Sequence, residues 1–325
     1  MDKSTHGSQQ NPRNSWLSHV ITEQETGQTL QAIITGPMGC SRRMIQKLTR
    51  SKGILLNGRT AFLKKPVKTG DVVKVRIQDF SDGQVNRKPE QGITPQFMLL
   101  DIIFEDEDLL IINKPAGLKV HPTQAGESST LSNGVAYLLA EKGLSPVVRP
   151  VHRLDTNTSG VIAFTKNQFS HHQLDIQLKN REMKREYLAV VEGTMDEWFP
   201  QNQVLVIDKP IGRQKGHPTR RVVRPDGEVA LTYVHLVGFL KNATLVRVSL
   251  ETGRTHQIRV HLSHLGHPVA GDSLYGSRGA AGIRRQALHA ARLALVHPRS
   301  NEPCIFEAPM PQDMADLVKG LTSQI

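Results

Sequence analysis

The chain has 325 residues, of which 38% are hydrophobic, and its formal net charge is +11. Its apolar runs, such as residues 109–112, fall far short of the roughly 20 residues that a membrane span needs. The N-terminus is polar and lacks the apolar core of a secretion signal. Two cysteines, Cys40 and Cys304, without metal-type spacing argue against a disulfide or zinc framework. We therefore expect a cytoplasmic protein with no membrane partner.

The positive charge is concentrated in the N-terminal part of the chain. Residues 1–95 carry a net charge of +8, whereas the remaining 230 residues carry +3. A strongly basic segment favours a polyanionic partner, and the alternative is a solvated basic surface without function. The length of the chain predicts two domains.

The first 14 residues are rich in Ser, Gln and Asn, which predicts disorder. After them, Ser41 is a good helix N-cap, and Met44, Ile45 and Leu48 follow at helical spacing. A short strand at 54–56 runs into an Asn-Gly turn at 57–58, a strong hairpin signal, and the alternating residues 72–77 predict another strand. We expect residues 15–80 to form a small αβ domain.

Three segments of this region, at 41–48, 53–58 and 68–73, resemble the S4-like RNA-binding domain. The resemblance implies a helix whose Arg42, Arg43 and Lys47 bind RNA phosphates largely independently of sequence. Few aromatic residues are available for base stacking, so recognition of RNA shape and backbone is expected.

A polar linker with Gly and Pro is predicted at 81–95, followed by a strand-rich domain at 96–325. Apolar alternation predicts strands at 99–104, 109–113, 160–166, 187–192, 229–237 and 243–251. Helical patterns occur at 130–142, 167–180, 255–265 and 312–321. No regular strand–helix–strand repeat is present, which predicts an α+β fold with a mixed, largely antiparallel sheet.

The candidate catalytic residue is Asp155, which stands two residues after Arg153 in a loop of Thr, Asn and Gly before an apolar strand. Loops at strand ends often carry catalytic residues. The alternative is a turn aspartate that bonds its own backbone. No nucleotide, metal or thiol motif lies beside it, so the question is what a lone carboxylate can do.

Four histidines follow later in the chain at spacings that suggest a helical metal cluster. They are His256, His261, His264 and His267. Arg259 stands among them, and no acidic or thiol ligand joins the group. We therefore expect neither a metal nor a cofactor.

Four separated segments occur in a characteristic order: 113–118, 152–155, 184–193, and 252–261 with its continuation at 271–276. Together they are similar to the RluA/RluD-type pseudouridine synthases. That family converts uridine in RNA to its C-glycoside isomer. In this reaction the base detaches from the ribose, rotates and reattaches through carbon 5. The reaction is redox-neutral and consumes no second substrate.

The resemblance implies that Asp155 is the catalytic carboxylate, Arg259 its partner, and Tyr187 the platform that stacks under a flipped uracil. Arg153 would either fill the space that the base vacates or hold a flanking phosphate. Further substrate-binding candidates are His152, Arg254, Lys114 and Leu293, the last as part of the apolar wall of the uracil pocket.

The expected substrate is RNA, and large-subunit ribosomal RNA is the favoured target by association with this two-domain arrangement. One alternative is the same chemistry on transfer RNA. A second alternative is a non-catalytic RNA-binding factor for ribosome assembly.

Overall fold

The computed structural model describes residues 15–77, 93–124, 126–145, 147–199, 204–279 and 282–322. The predicted disordered segment 1–14 and most of the predicted linker lie outside these residues. Within the described ranges, no helix is long and apolar enough to cross a membrane.

A small αβ unit comes first in the chain. Its elements are β1 (Trp16–Val20), α1 (Leu30–Thr35), α2 (Arg42–Arg50), β2 (Ile54–Leu56), β3 (Arg59–Thr60) and β4 (Val72–Arg76). The strands form an antiparallel sheet in the order β1-β4-β2-β3. Both helices bury their apolar residues in a core that also includes Phe169 from the second unit.

Local sequence signals explain the two best-predicted features of this unit. The Ser41 hydroxyl accepts a hydrogen bond from the Met44 amide at 3.2 Å, which caps α2 at the predicted residue. Asn57 and Gly58 both have positive φ and join β2 to β3 as a two-residue turn. Strand β1 is missing from the prediction, because its five residues lack a clear alternation.

The second unit is built on a large sheet. Its strands are β5 (Ile102–Glu105), β6 (Leu109–Lys114), β7 (Arg149–Pro150), β8 (Ser159–Thr165), β9 (Lys184–Glu192), β10 (Leu205–Asp208), β11 (Ile211–Arg213), β12 (Arg221–Val223), β13 (Leu231–Leu240), β14 (Ala243–Leu250), β15 (Leu288–Val296) and β16 (Pro303–Glu307). Its helices are α3 (Leu131–Glu141), α4 (Gln168–Lys179), α5 (Gln257–His264) and α6 (Gln312–Thr322).

The main sheet runs in the order β10-β13-β14-β9-β15-β8-β6-β5, with β16 beside β15 and β7 beside β8. Among the described strands, β8 and β15 pair in parallel and the other pairings are antiparallel. Strands β11 and β12 form a separate hairpin. This arrangement confirms the predicted α+β fold with a mixed, largely antiparallel sheet.

Strands β6 and β8 read as continuous apolar runs because both of their faces are buried. Leu110 and Ile162 face a cluster that includes α3, whereas Leu109 and Val161 face a second cluster against α4. The helices therefore cover the centre of the sheet on both sides. The helices do not cover the loops at the ends of β8, β14 and β15, and these loops can form a site.

Strand β15 is the main element that the prediction missed, although it lies in the middle of the sheet. A bulge between Ala290 and Arg292 shifts its pairing with β9 by one residue. Beyond the bulge, Leu293 pairs with Arg185 and packs in the cluster with Val161. Its assignment to the wall of a substrate pocket is therefore corrected: Leu293 is a buried core residue.

Candidate active site

The loop between β7 and β8 presents Asp155 and is held by backbone bonds. The Val151 amide bonds the Ala163 carbonyl at 2.9 Å, and the Thr158 amide bonds the Asp155 carbonyl at 3.1 Å. Gly117 and Lys114 both donate to the Thr156 carbonyl. The loop is thereby anchored on both sides of Asp155, whose side chain remains 20% exposed.

Lys114, a predicted substrate-binding residue, lies beneath this loop and is fully buried. Its Nζ donates to the carbonyls of Pro115, Leu118 and Thr156 at 2.8 to 2.9 Å. Burial lowers the pKa of Lys114 to about 7, and the charge of Asp155 opposes that shift. The structure therefore places Lys114 as a support of the loop and away from the cavity surface.

Arg259 connects Asp155 to a second carboxylate, Asp272. Its Nε and Nη2 bond the two carboxylate oxygens of Asp272 at 2.6 and 2.8 Å, and its Nη1 bonds Asp155 Oδ2 at 2.9 Å. The pair predicted from the sequence is thus in contact. Burial opposes the charge of Arg259, but the two carboxylates outweigh it and raise the pKa of the guanidinium above its ordinary value.

His256 and Tyr275 flank the same carboxylate. The Arg221 amide donates to the Tyr275 hydroxyl at 2.9 Å, and that hydroxyl lies 2.9 Å from His256 Nδ1. Burial lowers the pKa of His256, so the ring is neutral at pH 7, although the charge of Asp155 opposes this. The arrangement favours a proton on Nε2, which lies 3.8 Å from Asp155 Oδ2.

The backbone of His256 supports this placement. Its φ of 59° is left-handed, a conformation that costs a non-glycine residue free energy and often occurs at functional sites. It stands immediately before α5, which begins at Gln257 and carries Arg259. The Arg259 guanidinium also lies 5.0 Å from the centroid of the Tyr275 ring, so the same tyrosine contacts both His256 and Arg259.

These residues open into a cavity of about 1020 Å³. Asp155, Arg259 and Tyr187 all line it, together with the predicted RNA-binding residues His152, Arg153 and Arg254. Leu250, Ile258 and Leu288 supply its apolar wall in place of Leu293. The volume is at the upper end for a small-molecule pocket.

Tyr187 lies on β9, opposite Ala290 and Val248, and is 6% exposed. Burial raises the pKa of its phenol, which Arg185 opposes and Asp155 reinforces. Its ring is therefore a buried, neutral surface at the cavity wall, the property that base stacking requires.

The other predicted contacts differ in their partners and burial. Arg153 and Arg254 are both exposed, and Arg254 forms an ion pair with Glu228. His152 is buried, and burial together with Arg185 lowers the pKa of its imidazole to about 3. Its Nε2 accepts a long bond from the Ala163 amide at 3.4 Å, so the ring is neutral, and its buried Nδ1 has no partner among the described residues.

Arg42, Arg43 and Lys47 lie on the exposed side of α2 in the first unit and do not line the cavity. Among the described residues, no group of three or more His, Cys, Asp or Glu side chains is placed to hold a metal ion.

Sequence reasoning assigned no role to Asp272, Tyr275 or Arg185. The first two stand in segment 271–276, and Arg185 stands in segment 184–193, so all three belong to the motifs that carried the family resemblance. Nothing in the spacing shows that Asp272 and Asp155 share one guanidinium, because that contact requires the folded chain.

Comparison with known proteins identifies the class. Residues 108–264 match the family model described as RNA pseudouridylate synthase. An uncharacterized RNA pseudouridine synthase of Bacillus subtilis (strain 168), YhcT, is 40% identical over 311 residues, which cover 95% of this chain and 98% of that protein. The ribosomal large subunit pseudouridine synthase D of Escherichia coli (strain K12) is 35% identical, with 93% of each chain covered.

Among solved structures, human RNA pseudouridylate synthase domain containing 4 has a TM-score of 0.55 at 23% identity, covering 68% of this chain and 92% of that chain. That likeness shows a shared fold. The sequence relatives show in addition that the chain belongs to the RNA pseudouridylate synthase family. It is an RNA pseudouridine synthase, an isomerase, and this favours the enzyme over a non-catalytic assembly factor.

Proposed function

We propose that this enzyme isomerises uridines of large-subunit ribosomal RNA, with Asp155 as the catalytic carboxylate. The observation that carries the site assignment is the Asp272–Arg259–Asp155 array, which opens into the cavity beside Tyr187. The proposed target rests on relatives named ribosomal large subunit pseudouridine synthase D, which are 35–36% identical over most of the chain. A cytoplasmic location accords with such a substrate.

In this proposal the uridine leaves the RNA stack and its base lies against Tyr187, which costs a few kcal/mol of unstacking. Asp155 acts at the ribose, either by bonding to C1′ or by removing a neighbouring sugar proton, and the bond from C1′ to N1 breaks. After the base rotates, C1′ bonds to C5. On the covalent route the bond between C1′ and the Asp155 oxygen breaks in this step, and on the other route Asp155 returns the sugar proton to the carbon that lost it. The proton on C5 then leaves and N1 gains one, so the product is an isomer of the substrate.

The two oxygens of Asp155 have different surroundings, which suits this role. Oδ2 faces Arg259 and His256, whereas Oδ1 has no partner within the described part of the chain. Arg259 thus steadies the negative charge and leaves one oxygen for the sugar. The neutral phenol of Tyr187 is the proposed group for the later proton transfer.

We further propose that residues 15–80 are an S4-like RNA-binding domain, with Arg42, Arg43 and Lys47 as phosphate contacts. The support is an exposed basic side of α2 on a unit with its own core. Such contacts contribute affinity with little sequence preference, so the cavity would select the target.

The test is a map of pseudouridines in total RNA from cells with and without the gene, and from cells that carry Asp155→Asn. We expect a site in large-subunit RNA to disappear in both altered strains. The purified variant should still bind RNA, with isomerisation reduced about 10³-fold or more, the scale on which loss of a nucleophile acts. Loss confined to transfer RNA would establish the alternative substrate, and an unchanged map would refute the proposed activity.

A further inference from the structure

Arg185 is a buried cation at the cavity without a compensating anion. It is 8% exposed and lines the cavity. Its Nη2 makes one long hydrogen bond, 3.4 Å to the Thr252 carbonyl, and its Nε has no partner. Within the described ranges, no carboxylate oxygen lies within 4 Å of the Arg185 guanidinium.

Other buried cations of this protein are compensated. Arg259 contacts two carboxylates, and Lys166 contacts Glu105 at 2.6 Å. Lys114, whose pKa burial lowers to about 7, donates to three carbonyls. Burial of an uncompensated charge is unfavourable, and such groups are normally paired. Arg185 therefore differs from them in a way that a bound anion would explain.

The surroundings of Arg185 leave space for its guanidinium. A Cβ atom at Gly253 would lie 2.8 Å from Arg185 Nη1, closer than a real side chain tolerates. Glycine at this position thus permits the guanidinium to sit against the 252–253 backbone at the cavity wall.

Arg185 also stands in a defined relation to Tyr187. The two residues are two positions apart on β9, so their side chains project to the same face, with Cα atoms about 6.6 Å apart. If the target base stacks on Tyr187, the neighbouring sugar-phosphate backbone comes within reach of Arg185.

We propose that Arg185 binds an RNA backbone phosphate adjacent to the target nucleotide. This inference rests on the proposed function, because it requires the uridine to occupy the cavity. A phosphate supplies the missing negative charge, and its oxygens match the planar donors of a guanidinium. A neutral uracil carbonyl would accept a bond but would leave the charge uncompensated.

The test uses the full chain with Asp155→Asn, which prevents turnover, and a stem-loop RNA made around a uridine found in the modification map. We expect Arg185→Gln to weaken binding about 10- to 100-fold, because a charge-assisted bond is lost. The slope of log affinity against log salt should fall by about 0.7, the share of one phosphate contact. Arg185→Lys should keep the slope.

Gly253→Ala provides a second variant that leaves the charge in place. Because its methyl group displaces the guanidinium, it should weaken binding in the same direction. Arg247→Gln is the matched control, since Arg247 is exposed on the adjacent strand and does not line the cavity. Its slope is the reference against which the change at Arg185 is judged.

A salt slope in Arg185→Gln equal to that of Arg247→Gln would overturn the proposal, whatever the change in affinity or thermal midpoint. That result would assign Arg185 to support of the 252–253 turn. The proposed function is tested separately, because the modification map and the loss of product in Asp155→Asn do not depend on Arg185.

Discussion

Asp272 controls the direction in which Arg259 points, although it is buried behind the cavity surface. Its carboxylate accepts bonds from two of the three guanidinium nitrogens, and the third nitrogen donates to Asp155. A bidentate pair restricts rotation of the guanidinium plane more than a single bond does. Asp272 is therefore a positioning residue for the carboxylate that we propose as catalytic.

Asp272→Asn should reduce the isomerisation rate about 10- to 100-fold with little change in RNA affinity, because a small displacement of the reacting group is costly. The measurement is single-turnover kinetics at saturating enzyme, with RNA binding measured in parallel. Asp272→Glu, which keeps the charge, should recover part of the rate. Equal losses in affinity and rate would argue against a positioning role.

His152 contributes to the pH dependence of stability. Its folded-state pKa of about 3 lies below the ordinary value of 6.5, so on acidification the unfolded chain takes up the proton first. Stability from this residue is present above about pH 6.5 and is lost as the pH falls towards 3. One such group changes the free energy of unfolding by about 1.4 kcal/mol per pH unit within that window.

We expect His152→Gln to flatten the fall in the free energy of unfolding between pH 6 and pH 4 by about that amount per pH unit. Urea titrations at several pH values would measure it. His172→Gln serves as the comparison, because His172 is only partly buried. Parallel curves for His152→Gln and the unaltered protein would show that His152 does not titrate in this way.

At the scale of elements, the parallel contact between β8 and β15 depends on Gly160. Gly160 has a φ of 111° and pairs with Ala290, and a Cβ atom there would overlap the Ala290 backbone. Only glycine meets both conditions. The close approach of these strands lies a few residues after Asp155, so it also determines where the loop that carries Asp155 ends.

Gly160→Ala should lower the free energy of unfolding by about 2–4 kcal/mol, from backbone strain and overpacking together. Gly216→Ala is the control for backbone strain alone, since Gly216 has positive φ but nothing within 4 Å of its added methyl group. Denaturant titration of both variants separates the two contributions. A Gly160→Ala protein no less stable than Gly216→Ala would rule out the backbone clash.

Helix α4 joins the two units of the molecule. Its Phe169 packs into the core of the first unit, and Gln173 Nε2 donates to the Gly39 carbonyl at 2.7 Å. Leu174 of the same helix packs in the cluster under β8, and Leu178 and Lys179 reach the cavity rim. One helix thus contacts the first unit, the sheet and the cavity.

At the scale of the whole molecule, the uneven charge predicts that RNA affinity and catalysis depend on different parts of the chain. The first unit and linker carry most of the net positive charge, and the cavity lies in the second unit. If α2 holds RNA phosphates, its basic residues set affinity and salt dependence, whereas the chemical step depends on the cavity alone.

Replacing Arg42, Arg43 and Lys47 together by Ala should reduce the salt slope of RNA binding by about 2 to 3 and raise the RNA concentration for half-maximal rate. The single-turnover rate at saturating enzyme should be unchanged. Filter binding at several salt concentrations and single-turnover assays measure the two effects.

The control for that triple variant replaces three exposed cations of the second unit that do not line the cavity: Lys241, Arg247 and Lys319. Both triple variants remove the same charge. An equal reduction of the salt slope in both would mean that α2 has no special role in RNA binding.

Local patterns were sufficient for much of the chain. The Ser41 cap, the Asn57–Gly58 turn and the buried run of β6 each depend on residues close in sequence, so the prediction located them correctly. The ordered motifs likewise singled out Asp155 and Arg259, which the structure brings within 2.9 Å.

Long-range features required the folded chain. Strand β15 owes its central place to neighbours far away in sequence, and the pairing that places Leu293 in the cluster with Val161 forms only in the folded sheet. The sharing of Arg259 between Asp155 and Asp272 depends on contacts across 104 and 13 residues. The position of Arg185 depends on a contact across 67 residues. Residue type alone determined which groups could perform the chemistry, and tertiary packing decided which of them meet, because burial and pairing are properties of the assembled core.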